Sequence, residues 1–570
     1  MKTRMSFLAL LVLLTTVSPP AAKGQNESAT ATGQVARPWW KNAVIYEIYP
    51  RSFKDSNGDG IGDLNGITSK LDYLQALGID AIWITPCFPS PQVDFGYDVS
   101  DYVNIDPMYG TLEDFDRLAA EAKKRNIRLI LDFVVNHTSD QHPWFIDSRS
   151  SRTAVHRDWY IWRDGKGPDE PPNNWQSTFG LSAWSLDLPT KQYYYHYFYP
   201  QQPDLNWRNP AVEKAMFDVT RFWYRRGTAG FRLDAVDSLY EDPNLTDDPV
   251  LPGKDKFGRP NIEEKYNKKL PELHQALQRL RAVADEYDAV LIGETWTSNV
   301  AQLEEYYGTN GNELQLPMDL MLTNLRLSAS EFRDHVKAVD GAKGWPTYVI
   351  TNHDIRRSYS RYGDGVHDDD IAKMVAGFYL TLRGSAVMYY GEEIGMENHD
   401  PITKQEVKDP IGILGWPAEK GRDGERTPMQ WNSSVNAGFT TGKPWLPVPA
   451  SAKTRNVETE SKNPNSLLRF YKEVLRLRKT EAALREGTYV PLNETDPNVV
   501  SYLRQSKDGT ILVVANFSGQ AQSPHFDLTK QGFPGAKVTA LAKNAAPVAD
   551  GPLEEVRLEA YGVYIGRVGE

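Results

Sequence analysis

The chain has 570 residues, room for two to four domains at roughly 100 to 200 residues each, and 40% hydrophobic residues supply ample core material. Sixty-four Lys plus Arg against 75 Asp plus Glu leave a net charge of −11, which argues against the basic surface that a nucleic-acid partner requires. Fifteen Trp and 29 Tyr suit stacking on hydroxyl-rich ligands, although a large core uses the same residues.

In chain order, Lys2 and Arg4, the apolar run Met5 to Val17 and the small residues Pro19 to Gly24 read as a signal peptide over 1–24. The run is too short for a membrane span, which needs about 20 residues. We therefore expect an exported protein, periplasmic or secreted, with no membrane span and with a disordered lead-in over 25–38. The single cysteine, Cys87, excludes an intrachain disulfide.

Beyond Pro38, β-branched runs alternate with amphipathic helical patterns. The expected strands are Val44 to Tyr49, Ala81 to Thr85, Arg128 to Val135, Gly230 to Val236, Ala289 to Glu294, Leu314 to Met318, Tyr348 to Asn352 and Ala386 to Tyr390. Between them, Thr111 and Asp114 form a capping pattern ahead of an apolar face at Leu112, Phe115, Leu118, Ala119 and Ala122. Eight such units predict an α/β fold, a (β/α)8 TIM barrel over 39–137 and 208–486. Residues 138–207 are too many for an ordinary strand–helix loop and predict a small inserted domain after the third strand. From 487 to 570 the short runs Tyr489 to Pro491, Val499 to Leu503, Thr510 to Ala515, Val538 to Leu541 and Val556 to Gly566 predict a C-terminal antiparallel β-sandwich.

A barrel of this type carries its chemistry at the C-terminal ends of its strands. Those ends hold Asp132-x-x-x-Asn136-His137, Gly230-Phe-Arg232-Leu-Asp234, Gly293-Glu294-Thr-Trp296 and Asn352-His353-Asp354. A carboxylate near a strand end is ordinarily a cap or a solvated loop residue, but Asp234, Glu294 and Asp354 share one rim. Without a Ser nucleophile elbow or a Gly-rich phosphate loop, three such acids fit glycoside hydrolysis. Arg232 would keep Asp234 ionised as the nucleophile. The apolar run Val290 to Ile292 and Trp296 would raise Glu294 as the acid.

These four motifs resemble the signatures of the α-amylase family of glycoside hydrolases (family thirteen), and Gln202-Pro-Asp-Leu-Asn206 resembles the marker of its oligo-1,6-glucosidase and α-glucosidase subfamily. The resemblance runs from about Trp39 to the C-terminus. It implies Asp234 as nucleophile, Glu294 as general acid/base and Asp354 as transition-state stabiliser, with His137, Arg232 and His353 binding the cleaved sugar. Asp94-Phe95-Gly96-Tyr97 resembles a motif whose Asp grips the terminal glucose and whose Tyr stacks on it. Arg426, in Arg422-Asp-Gly-Glu-Arg426, would face Asp94 and wall off the pocket beyond the first sugar.

Asp55, Asn57, Asp59 and Asp63 place oxygens at alternate positions with Gly60 sixth, an EF-hand-like pattern lacking the Glu at position twelve, where Gly66 stands. A plain Asx-rich turn is the other reading. Relatives hold Ca²⁺ or Mg²⁺ at the matching loop with the carbonyl of Ile61, so a structural Ca²⁺, with Mg²⁺ as the alternative, is implied. The expected activity is a retaining, exo-acting α-glucosidase on maltose, sucrose and small malto-oligosaccharides, and Ala235 points to α-1,4 over α-1,6 bonds. The alternative of the same fold is an isomerase of the trehalose synthase or sucrose isomerase type. A silent binding protein is disfavoured by the retained acids. The partners expected are small α-glucosides.

Overall fold

The computed structural model describes residues 38–569, apart from 168, 181, 256–257, 545–550 and 554–555. The expected signal peptide and nearly all of the lead-in lie outside the described residues.

The barrel strands are Val44–Ile48, Ala81–Ile84, Arg128–Val134, Thr228–Asp234, Val290–Gly293, Leu316–Pro317, Thr347–Val349 and Ser385–Tyr389. All eight are parallel and follow one another around the sheet, with the first paired to the eighth. A parallel bridge from Asp319 to Tyr348 closes the ring. The first, second, fifth and eighth strands are buried at every position, as strands flanked on both faces must be, which is why they read as continuous apolar runs. The fourth ends two residues before the predicted Val236. Ala235 adopts left-handed backbone (φ 48°) and turns the chain into a short 3-10 segment, leaving Asp234 on the rim.

The helix Leu112–Lys124 begins with the expected capping box. The Asp114 N–H donates to the Thr111 hydroxyl, the Asp114 carboxylate accepts from the Thr111 N–H, and Phe115, Leu118 and Ala122 are buried. The insertion after the third strand carries a three-stranded antiparallel sheet of Trp162–Arg163, Gln192–Tyr195 and Trp184–Asp187. Its small core is largely aromatic, including Trp175, Trp184, Tyr193 and Tyr195. A second excursion, from Ala235 to Pro271, holds a hairpin of Val250–Lys254 and Pro260–Ile262. The two excursions grip each other. Trp175 Nε1 donates to the Thr246 carbonyl at 2.9 Å, Asn174 Nδ2 to that of Asp248 at 2.8 Å, and Tyr197 Oη to the Glu264 carboxylate at 2.9 Å.

The C-terminal domain is a six-stranded antiparallel sheet with its own core, which includes Leu503, Leu512, Val514 and Tyr564. Four of the five predicted runs are strands. The fifth differs: the strand is Val563–Gly569, and a Tyr561 at φ 51° separates it from Val556 and Leu558, whose side chains fill the core outside any strand. Arg504 and Tyr502 dock the sheet on the barrel by donating to the carbonyls of Thr381 and Phe378.

Candidate active site

The strand ends converge on a cavity of about 390 Å³, lined among others by Asp94, Tyr97, His137, Asp234, Glu294 and Asp354. At its floor the fully buried Arg232 lies over the Trp83 ring. Arg232 Nη1 donates to Asp234 at 2.6 Å and to Asp132 at 3.0 Å, while Nη2 stands 3.1 Å from Glu294. One guanidinium therefore serves three carboxylates. Arg232 favours the ionised form of Asp234, as expected, but it is opposed. Burial, joined by the charges of Glu294 and Asp132, pushes Asp234 well above the usual carboxylate range against the pull of Arg232. Burial likewise raises Asp132 to about 6 despite Arg232.

The surroundings of Glu294 also differ from the apolar ones predicted. Its Oε2 accepts from the Ala235 N–H at 2.9 Å and its Oε1 from the Trp296 indole N–H at 3.0 Å. Trp296 thus meets Glu294 through its polar edge, with 44% of the residue exposed at the mouth.

Asp354 accepts from Arg422 Nη1 at 2.9 Å and Arg426 Nη2 at 2.7 Å. Burial alone would raise its pKa, but the positive charges of Arg422 and Arg426 beside it hold it well below the usual range. Asp94 pairs with Arg422 Nη2 at 2.9 Å, not with Arg426 as predicted. Arg422 is anchored to Asp409 at 2.9 Å, which aims its fork at Asp94, whereas Arg426 is committed to Asp354 and the His353 carbonyl. Gln202 Nε2 reaches Asp94 at 3.3 Å and His137 Nε2 at 3.2 Å. Burial lowers His137 to about 3, so it is neutral. Gly96 turns this loop at φ 109°, and a Cβ there would meet the Pro86 carbonyl at 2.9 Å.

Sequence reasoning placed the predicted acids and sugar-binding residues on one rim but missed the parts played by Asp132, Gln202 and Arg422. All three stand inside the quoted motifs. A linear motif does not reveal which of two arginines four residues apart faces a loop from the second strand.

The Asp55 to Asp63 loop lies apart from these residues. Asp55 accepts from the backbone N–H groups of Asn57, Gly58 and Gly60 and from the Thr440 hydroxyl. Asp63 caps the helix Leu64–Ser69 through the Gly66 N–H. Among the described residues no three His, Cys, Asp or Glu side chains converge as a metal cluster, so a cation here would also draw on the amide of Asn57 and the carbonyl of Ile61.

Comparison with known proteins agrees with this layout. Residues 47–487 match the alpha amylase catalytic domain, and residues 489–565 match the maltogenic amylase C-terminal domain. The chain is 41% identical to a probable alpha-glucosidase of Rhizobium meliloti (strain 1021), over 95% of this chain and 99% of that one. It is 38% identical to an oligo-1,6-glucosidase of Parageobacillus thermoglucosidasius, covering 93% and 99%. Among solved structures, the trehalulose synthase of Pseudomonas mesoacidophila MX-45 superimposes with a TM-score of 0.84 at 38% identity, over 94% of this chain and all of that one. Among the described residues no helix is long and apolar enough to cross a membrane. The chain belongs to the α-amylase family of glycoside hydrolases and is an enzyme that processes small α-glucosides.

Proposed function

We propose that the chain transfers the terminal glucosyl residue of a short α-glucoside to a second sugar, as an isomerase or transglucosylase, with hydrolysis as the competing outcome. The observation that carries this reading is a pair of joined cavities. The first is stopped at its inner end by the Arg422 bridge between Asp94 and Asp354, which suits one glucosyl unit. The second, of about 540 Å³, shares Phe179, Phe198, Trp296 and Asp354 with it and adds Arg356 and Asp400, room to retain the departing sugar as acceptor. The relation to the trehalulose synthase supports the same reading.

Asp234 and Glu294, both on Arg232, share one proton. In the first step it resides on Glu294, which passes it to the glycosidic oxygen as the Asp234 carboxylate attacks the anomeric carbon and the aglycone leaves. In the second, Glu294 takes the proton from an acceptor hydroxyl whose oxygen attacks the same carbon and releases Asp234. Two inversions retain the α configuration. Asp354, ionised beside its arginines, is suited to hold sugar hydroxyls and to favour the positive charge of the transition state.

Plain exo-hydrolysis is the second reading, and the likeness to an alpha-glucosidase and an oligo-1,6-glucosidase favours it. Incubation with maltose and with sucrose, followed by product separation, decides between them. A rearranged disaccharide is expected, and free monosaccharides alone would overturn the transfer reading in favour of the hydrolase.

Two further parts of the proposal stand on sequence. Asp55, Asn57, Asp59, Asp63 and the Ile61 carbonyl would hold a structural Ca²⁺, these being hard oxygen donors that the loop backbone pre-orders. Chelation should then lower the melting temperature, and Ca²⁺ or Mg²⁺ should restore it. Export through residues 1–24 would be checked by N-terminal sequencing of protein recovered outside the cytoplasm.

A further inference from the structure

Glu47, in the first barrel strand, is fully buried beneath the pocket. Its Oε1 lies 2.6 Å from His353 Nδ1 and accepts the His353 backbone N–H at 3.2 Å, while its Oε2 has no hydrogen-bond partner. On the other side of the ring, His353 Nε2 stands 2.6 Å from the Tyr97 hydroxyl and 3.3 Å from an Asp354 carboxylate oxygen. Tyr97 in turn donates to Asp132 at 3.2 Å, and its ring stacks on His353 with centroids 5.5 Å apart.

The protons in this chain can be assigned from chemistry. Asp354 is ionised, so a lone pair on Nε2 would face a negative oxygen, and Nε2 therefore carries the hydrogen. The imidazole is neutral: burial, followed by the fields of Arg426, Arg232 and Arg422 against that of Asp354, holds it well below its ordinary pKa. Its Nδ1 is then an acceptor, and the group 2.6 Å away must donate. Glu47 does so only as the acid. That form also leaves a carbonyl oxygen unpartnered, which costs less than leaving an oxygen of a buried carboxylate bare. The charged groups that act on it are Arg232, Asp354 and Asp132, and across the strands it faces Trp83 and Tyr389. Burial keeps the carboxyl well above its usual range against Arg232.

We propose that Glu47 is a positioning residue that donates its carboxyl proton to His353 Nδ1 and so fixes the tautomer whose Nε2–H holds Tyr97 and Asp354 in place at the glucosyl pocket. The kinetic consequence rests on the proposed reading of that pocket, whereas the tautomer does not.

The test combines selective ¹⁵N-histidine NMR with kinetics on maltose or sucrose for wild type, Glu47→Gln and Glu47→Leu, the His353 signal being identified by its loss in His353→Gln. In wild type one ring nitrogen should be protonated and the other not. Glu47→Gln, whose amide also donates to Nδ1, should keep that pattern and the wild-type kcat/KM. Glu47→Leu, which cannot donate, should lose the pattern and lower kcat/KM by about tenfold or more, mostly in kcat. Two protonated nitrogens in wild type would mean an imidazolium–carboxylate pair and overturn the proposal, as would a Glu47→Gln variant as impaired as Glu47→Leu. If Glu47→Leu does not fold, wild type and Glu47→Gln decide. If the chain turns over no α-glucoside, the glucosyl reading fails while the NMR result still stands or falls by itself.

Discussion

Asp94 and Arg422 are 328 positions apart in sequence and meet at 2.9 Å, one half of a fork whose other nitrogens hold Asp354 and Asp409. The inner end of the pocket is thus an electrostatic knot. Removing Arg422 leaves two buried carboxylates, Asp94 and Asp409, and the partly exposed Asp354 with fewer counter-charges, a change of the kind that costs about 3–5 kcal/mol.

Arg422→Ala should therefore melt at lower temperature than Arg426→Ala relative to the number of acids each releases. It should also raise the rate on maltotetraose relative to maltose. In a double-mutant cycle Asp94 should couple to Arg422 and not to Arg426. Equal coupling to both arginines would contradict the observed pairing.

The two rim acids separate by leaving group. Asp234→Asn should be inactive on every substrate, because no covalent glucosyl-enzyme forms. Glu294→Gln should still be glucosylated by an aryl glucoside whose phenolate leaves without a proton. Mass spectrometry of the quenched Glu294→Gln reaction would detect the adduct on Asp234.

Ala235 contributes both its backbone N–H, to Glu294, and its side chain, to the pocket lining. Its small methyl group leaves space for an acceptor ring held close by an α-1,4 bond, so maltose should be cleaved better than isomaltose. Ala235→Val should shift the kcat/KM ratio toward isomaltose by roughly 1–3 kcal/mol. Because φ is 48° here, a β-branched residue also strains the backbone by about 1–3 kcal/mol. A ratio of two substrates on the same variant cancels that penalty, whereas a single rate would not.

Stability should depend on pH through Glu392, a buried acid whose carboxylate accepts from the Tyr379 and Tyr471 hydroxyls. Burial pushes it up to about 7. Between its unfolded value near 4.5 and 7 the folded chain keeps a proton that the unfolded chain releases, so stability falls as pH rises through that window, by at most about 1.4 kcal/mol per unit. Glu392→Gln has no proton to lose. Its melting temperature should decline less between pH 4.5 and 7 than that of wild type, and parallel profiles would assign the slope to other groups.

The barrel was legible because strands buried on both faces leave continuous apolar runs, and because the acids stand at the ends of those runs or within a few residues beyond them. The ends were less so. The fourth strand stops early because Ala235 takes a left-handed conformation that nothing in Asp234-Ala235-Val236 announces. The last strand was placed too early because Val556 and Leu558 are apolar for core filling rather than for pairing. At the site, residue types and spacing indicated the chemistry. Proton placement and ion-pair choice depended on groups brought together from distant strands: three carboxylates on Arg232, an indole N–H on Glu294, and Glu47 under His353.

The grip between the insertion and the excursion after the fourth strand bears on how this pocket can be altered. Asn174, Trp175 and Tyr197 bond to residues between Thr246 and Glu264, so the two sides of the mouth form a single mechanical piece contributed by two separate stretches of chain. Transplanting either stretch alone into a relative would strand its hydrogen-bonding partners and distort the rim. Exchanged together, they can move as one cassette, and selectivity for the acceptor sugar should travel with the pair.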